Sequence, residues 1–246
     1  MPTVANAEWL APLHRAGHML LDLLYPPRCT GCGRPGELLC ARCQAQVLPV
    51  AAPACRRCGR PSAAPGLCSA CRLTPSSLDG ITAAALFVPP WQSAIHAFKY
   101  HNLSALAPTI GARMAGAWRL ERHPVDFVAP VPLHARRESE RGFNQSALLA
   151  RVIGAALGAP VQAAALVRRR DTPPQVGMSR YQRQENVHGA FACPGSAAGC
   201  RVLLVDDVCT TGATLEACAA ALRSAGASRI WGLVAARPPW EPDGER

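Results

Sequence analysis

The chain is read most firmly from Val202-Leu203-Leu204-Val205-Asp206-Asp207-Val208-Cys209-Thr210-Thr211-Gly212-Ala213-Thr214. Four apolar residues in a row suit a strand buried on both faces, as in the middle of a parallel sheet. Two acids stand at its carboxyl end, and a turn of small and hydroxyl residues leads into a helical pattern over 215–225 that Gly226 ends. Backbone N–H groups of such a turn converge, and the helix start adds partial positive charge, so a phosphate fits there. Thr210, Thr211 and Thr214 add hydroxyl donors, and Gly212 lets the chain turn without a clashing Cβ. Adjacent carboxylates suit vicinal hydroxyls, or Mg²⁺ held with them. A phosphate and a diol close together describe a ribose 5-phosphate. Taken alone, Asp206-Asp207 would serve as a helix cap, but a cap does not call for paired acids.

On either side of this stretch, strand and helix patterns alternate. Strand-like runs cover 81–88, 126–133, 161–167, 201–205 and 229–235; helical patterns cover 91–100, 105–120 and 144–157, the last stopped by Gly158. Alternation of this kind predicts an α/β fold, a parallel sheet with helices on both faces. Ligands of such sheets bind at the carboxyl ends of the strands. Residues 168–188 are polar, rich in Arg and interrupted by Pro173-Pro174, and read as a long loop, of a length that is usually functional or mobile.

Upstream, eight of the 12 cysteines form four C-x-x-C pairs: Cys29/Cys32, Cys40/Cys43, Cys55/Cys58 and Cys68/Cys71. Such a pair brings two thiolates to one tetrahedral Zn²⁺ from a tight turn, and two pairs close a structural site. Gly33 and Gly59 follow the second cysteine of their pairs, where positive φ is often needed. Two sequential sites (Cys29, Cys32, Cys40, Cys43 and then Cys55, Cys58, Cys68, Cys71) are the simplest assignment; an interleaved pairing stays open. Few large apolar residues accompany them, so zinc supplies about 10 kcal/mol of folding free energy per site. Chelation is then expected to unfold 29–71 and spare the rest. Cys193, Cys200 and Cys218 read as buried or half-buried thiols, and Cys209 as a filler of a small apolar slot.

The organisation expected is an N-terminal helix within 1–28 (Trp9, Leu13, Leu20 and Leu24 near one face), a double zinc-ribbon segment over 29–73, an α/β domain over 78–238 and a tail over 239–246. The boundary falls in the Pro- and Ser-rich stretch 74–77. In the 246 residues no apolar run has the length of a membrane span, which argues against stable membrane insertion. Met19 to Tyr25 is short, holds Asp22 and lacks a basic flank, so no signal peptide is read and the expected location is cytoplasmic. Of the 26 basic residues all but Lys99 are arginines, giving +10 formally. Two Zn²⁺ and eight thiolates bring this to +6, which still favours an anionic partner.

The 202–214 stretch resembles the phosphoribosyl-pyrophosphate signature of type I phosphoribosyltransferases: apolar strand, two acids, then T-T-G-x-T. Leu23-Leu24-Tyr25-Pro26-Pro27-Arg28-Cys29, Phe98-Lys99-Tyr100, Pro130-Val131-Pro132-Leu133, Arg141-Gly142-Phe143-Asn144-Gln145, and Gln175, Arg183 and Asn186 before Gly189-Ala190-Phe191 are similar to the ComF family, over most of the chain. That resemblance implies a type I phosphoribosyltransferase-like sheet preceded by zinc ribbons, and a link to DNA uptake with single-stranded DNA and a competence helicase as partners. It implies that Asp206 and Asp207 hold the ribose hydroxyls and organise Mg²⁺, and that Thr210, Thr211, Gly212, Ala213 and Thr214 wrap the 5-phosphate of phosphoribosyl pyrophosphate. Arg141, with Arg136 and Arg137 behind it, would face the pyrophosphate. Arg180 and Arg183 would clamp phosphate from loop 168–188, and Lys99 would contact an anion at the edge of the sheet. His134 and His188 read as surface or satisfied histidines. Either a transferase with an unassigned acceptor or a non-catalytic binding module agrees with these residues.

Overall fold

A computed structural model describes residues 26–62, 64–173 and 177–239. The expected N-terminal helix and Gln175 lie outside the described residues. Two short helices, α1 (Ala41–Ala45) and α2 (Ser69–Leu73), belong to the cysteine-rich segment. The α/β part then runs β1 (Gly80–Ala83), α3 (Trp91–Tyr100), α4 (Ala107–Glu121), β2 (Phe127–Pro130), α5 (Ala135–Arg141), α6 (Gln145–Leu157), β3 (Val167–Arg168), α7 (Arg180–Val187), β4 (Phe191–Ala192), β5 (Arg201–Val208), α8 (Ala213–Ser224) and β6 (Arg229–Ala236).

Strands β1, β6, β5 and β2 lie side by side in that order, all parallel, and β3 and β4 form a separate antiparallel pair. The central position of β5 follows from its composition. Val202, Leu203, Leu204 and Val205 are fully buried and alternate between the two faces. Leu203 and Val205 join Ile95, Ile110, Met114, Trp118, Leu149 and Ile153 of α3, α4 and α6. Val202 and Leu204 join Leu215, Cys218, Ala219 and Leu222 of α8 on the opposite face. Helices therefore cover both sides of the sheet, as the alternation predicts.

Several elements differ from their sequence expectation. The strand expected over 81–88 ends at Ala83, because the next residues turn to other partners: Leu86 N–H donates to Leu48 in the cysteine-rich segment, and Ala85 C=O accepts from Arg237. The strand expected over 126–133 shortens to β2, since Pro130 and Pro132 bring no N–H to a ladder. The run 161–167 gives only a single bridge from Val161 to Val128, a 3-10 turn over Ala163–Ala165 and the short β3. Three successive alanines have little β preference and nothing to pack with. The loop expected over 168–188 contains α7, started by a capping box in which Ser179 Oγ accepts from the N–H of Gln182 and the Gln182 side chain accepts from the N–H of Ser179.

The cysteine-rich segment is two copies of one knuckle. Gly33 N–H donates to Cys29 C=O at 2.7 Å and Gly59 N–H to Cys55 C=O at 2.8 Å, each glycine at positive φ as expected. Cys29 N–H meets Arg34 C=O just as Cys55 N–H meets Arg60 C=O, and α1 and α2 start directly after Cys40 and Cys68. The copies dock differently. Cys29, Leu39, Cys43 and Val47 of the first are buried in the same apolar cluster as Trp91 and Ile95. The second lies against β1 and the end of β6: a Cβ on Gly59 would stand 2.3 Å from Ile81 C=O, and the buried Arg237 donates to Cys58 C=O.

Candidate functional site

The acid pair and the turn after it sit at the carboxyl end of β5, the central strand. Asp206 is in register with Val234 of β6, and Asp207 is 9% exposed. Asp206 Oδ1 accepts from Ser146 Oγ at 3.0 Å and from the Asp207 N–H at 2.9 Å. Ser146 is there because Asn144 caps α6, its side chain accepting from Ala147 N–H, which aims the first turn of that helix at the end of β5. Lys99, in the last turn of α3, places Nζ 2.8 Å from Asp207 Oδ1. Burial alone would lower the Lys99 ammonium, but Asp207 outweighs it and holds the group charged, above its ordinary value. Burial and the neighbouring Asp207 push the Asp206 carboxyl up to about 7, against the pull of Lys99. Two adjacent acids in a poorly solvated place resist carrying both charges.

The turn is built as a cradle. Gly212 caps α8 in the left-handed region at φ 86°, and brings no side chain of its own to the amides of the first turn. Among the described residues, no backbone carbonyl takes the N–H groups of Thr210, Thr211 or Gly212. Thr211 Oγ1 accepts from Ala213 N–H at 3.4 Å, and Thr214 stands in the first turn of α8. Arg183 of α7 donates to Thr210 Oγ1 at 2.6 Å and, through Nε, to Met178 C=O at 3.0 Å, so a guanidinium stands over the mouth of the cradle. Arg180 opens the same helix.

Arg141, at the end of α5, lies with its guanidinium 5.2 Å from the centre of the Tyr100 ring and donates to Gln145 Oε1 at 3.1 Å. Its two partners, Tyr100 and Gln145, are the sequence neighbours of Lys99 and Ser146. Arg137 donates to Thr172 C=O at 2.7 Å, and the exposed Arg136 pairs with Asp171 and Glu140, so these two brace the loop around β3. His134 caps α5, accepting from Arg136 N–H, and His188 gives its carbonyl to Arg170. Cys209 is buried beside the cradle; burial pushes its thiol up to about 11, that of an unreactive filler. Cys218 is buried too, while Cys193 and Cys200 are half-buried. Ser146, Tyr100 and Gln145 are the participants that spacing did not single out. They come from helices that only the fold brings to β5, although Tyr100 and Gln145 are part of the F-K-Y and R-G-F-N-Q stretches.

The cysteines gather as Cys29, Cys32, Cys40 and Cys43, and as Cys55, Cys58, Cys68 and Cys71, each set with its sulfurs within 4.8 Å of one another. The pairing is sequential. In the first set burial raises Cys29, but the N–H groups of Cys40, Cys32 and Gly31 outweigh it and bring that thiol down to about 6. Burial and the surrounding sulfurs push Cys43 up to about 12. The second set repeats this, with Cys55 lowered to about 6 and Cys71 raised. One sulfur prepared as thiolate by amides, with three more cysteine sulfurs crowded around it, is a donor set that a tetrahedral soft-ligand cation completes, and Zn²⁺ fits it.

A double zinc ribbon domain matches residues 20–72, and a phosphoribosyl transferase domain matches 144–240. The chain is 30% identical to the DNA utilization protein YhgH of Salmonella typhimurium over 226 residues, covering 86% of this chain and 98% of that one. It is 31% identical to Competence protein F of Haemophilus influenzae over 209 residues, 80% of this chain and 90% of the relative. The chain belongs to the ComF/YhgH family. Competence protein ComFC of Bacillus subtilis is a more distant ComF relative, 25% identical over 78% of this chain and 81% of its own. Among solved structures, the glutamine phosphoribosylpyrophosphate amidotransferase from B. subtilis is similar over 54% of this chain and 26% of that one, at 22% identity and a TM-score of 0.38. In this ComF/YhgH chain the ribbon match ends just before the stretch that joins the second cluster to β1, and the transferase match begins at the cap of α6.

Proposed function

We propose that this chain binds a ribose 5-phosphate ester, phosphoribosyl pyrophosphate or a close relative, at the carboxyl end of β5. The observation that carries the reading is the continuity of the site: paired acids end the central strand, and within a few residues the chain forms a Gly212-capped turn at the start of α8. Amides of the turn and the hydroxyls of Thr210, Thr211 and Thr214 take the 5-phosphate. Asp206 and Asp207 accept hydrogen bonds from the vicinal ribose hydroxyls. Arg141 and Arg183 face the pyrophosphate end, each charge-assisted bond contributing about 1.5–3 kcal/mol.

The reaction such a site serves is displacement at the anomeric carbon. The bond from that carbon to the pyrophosphate oxygen breaks, the pyrophosphate leaves with the electron pair, and a nucleophile's lone pair forms the new bond. The sugar is cation-like on the way, so fixed charges and exclusion of water matter more than a strong base. Mg²⁺ supplies charge neutralisation to the departing pyrophosphate when it accompanies that group. Among the described residues no segment presents an acceptor-selecting set of stacking rings and hydrogen bonds, so no acceptor is proposed. Two zinc ions cross-link the cysteine-rich segment. The names of the Salmonella and Haemophilus relatives favour a setting in DNA use or uptake. The surplus of arginine in the chain offers a polyanion further contacts, and a competence helicase remains the expected protein partner. Among the described residues no helix is long and apolar enough to cross a membrane.

Titration calorimetry of the zinc-loaded chain with phosphoribosyl pyrophosphate and Mg²⁺ tests the reading. Asp207→Asn weakens binding by about tenfold or more, the loss of a charge-assisted contact. Absence of binding to the wild-type chain would refute the proposal.

A further inference from the structure

We propose that Lys99 is the resident cation of the acid pair, so that Asp206 and Asp207 take the two sugar hydroxyls with no divalent ion between carboxylate and sugar. The inference rests on the sugar-phosphate reading above and concerns how that site balances its charge.

Lys99 is the single lysine among 26 basic residues. It lies in the last turn of α3, where Ile95 and Phe98 fix the helix in the core and the helix end favours a cation. Its Nζ is 2.8 Å from Asp207 Oδ1, and the two side chains are only 18% and 12% exposed, so this is an enclosed pair rather than a surface contact. An ammonium is a compact point charge with three donors, which suits the narrow place where a helix end meets a strand end better than a planar guanidinium does. Asp206 is served separately, by Ser146 Oγ and the Asp207 N–H on one oxygen. The contacts named so far engage one oxygen of each acid. Each carboxylate thus brings a second oxygen, and two vicinal hydroxyls are two donors.

A divalent ion bound directly to the pair does not fit this arrangement. On Asp207 it would stand against the ammonium, a like charge in a place with little water to screen it. The part of Mg²⁺ in the family resemblance then belongs to the pyrophosphate end. A ligand that has the ribose hydroxyls and the 5-phosphate but lacks pyrophosphate should bind equally well with or without Mg²⁺.

The test is calorimetric titration of the full, zinc-loaded chain with ribose 5-phosphate, in buffer freed of divalent ions by chelating resin and in the same buffer with Mg²⁺. Zinc content is checked before and after, since a soluble chelator would attack the thiolates. The wild-type chain is expected to bind with one affinity in both buffers, and 2-deoxyribose 5-phosphate to bind more weakly in both. Lys99→Met is expected to bind about tenfold more weakly without Mg²⁺ and to recover part of the loss when Mg²⁺ is added. Lys99→Arg, which keeps the charge, is expected to remain indifferent to Mg²⁺. Wild-type binding that appears only with Mg²⁺ overturns the inference and leaves the sugar-phosphate reading standing. So does unchanged affinity in a folded Lys99→Met chain. Absence of binding in both buffers overturns the sugar-phosphate reading and the inference with it. The two wild-type titrations decide the matter even where the methionine variant fails to fold.

Discussion

Asp206 holds a proton more tightly in the folded chain than an exposed carboxyl does, and this has a consequence for stability. Burial beside Asp207 moves it from 3.8 to about 7. Between those values the folded chain keeps a proton that the unfolded chain has released, so this residue's contribution is greatest below the lower value and is lost as pH rises through the window. Asp206→Asn removes the dependence. Urea midpoints of the two proteins are expected to diverge from about pH 5 to about pH 7, the variant gaining on the wild type as pH rises. Parallel curves would mean that Asp206 is ionised throughout. The cysteines are the same in both, so zinc loss at low pH cancels in the difference. Asp206, Asp207 and Gly212 could be read directly from the sequence because the strand, the acids and the turn are contiguous. Ser146 could not, nor the partner of Lys99, since α3 and α6 reach β5 only through packing of Phe98, Leu149 and Ile153.

The helix α7 carries Arg183 to Thr210, and it does so with little apolar support of its own: of its residues Val187 is buried, while Tyr181 is 70% exposed. Its start depends on the Ser179–Gln182 capping box. Ser179→Ala is expected to cost that helix about 1 kcal/mol, seen as faster hydrogen exchange of the α7 amides by about fivefold. Ligand affinity should fall with it, because Arg183 is then held over the cradle for less of the time. The urea midpoint of the whole chain should hardly move. A drop in global stability with no local change in exchange would mean that α7 is part of the cooperative core. The S-x-x-Q signal of this helix was present in the sequence, but the surrounding polar residues and Pro173-Pro174 hid it, since an amphipathic stripe is the usual sign and α7 has none. The strand expected over 161–167 fails for the opposite reason: an apolar run was present, but three alanines have no bulk with which to hold a ladder.

The ribbons are built into the molecule rather than appended to it. Cys29, Leu39, Cys43 and Val47 share their apolar cluster with Trp91, Ile95 and Phe98, and Arg113 donates to Val47 C=O at 3.1 Å. This packing argues against the expectation that chelation unfolds 29–71 and spares the rest, since losing the first cluster would strip one wall from the core. Removal of zinc is expected to lower the thermal midpoint of the whole chain as reported by tryptophan fluorescence, with Trp91, Trp118 and Trp231 all in or against that cluster. A fluorescence transition unchanged by complete zinc removal would show that the ribbons fold apart from the sheet. That the strands of the large sheet run parallel was predictable from alternating patterns, though their order was not, and the grouping of the cysteines partly so. How each knuckle docks was not, because contacts such as Gly59 against Ile81 C=O involve backbone atoms, which leave no pattern of residue types.

The stretch between the second cluster and β1 adds one more consequence. Glu216 in the first turn of α8 accepts from Ser76 Oγ at 2.6 Å and from Ser77 N–H at 2.5 Å, and Arg223 Nε of the same helix donates to Ser77 C=O at 3.0 Å. A Pro- and Ser-rich segment that would serve as a hinge elsewhere is here riveted to the helix that begins at the cradle. Cutting the chain at Leu78 would leave every strand of the sheet in place. It would also leave Glu216 without its serines and the buried Arg237 without the Cys58 carbonyl, so the truncated half could not stand in for the intact protein in a binding assay.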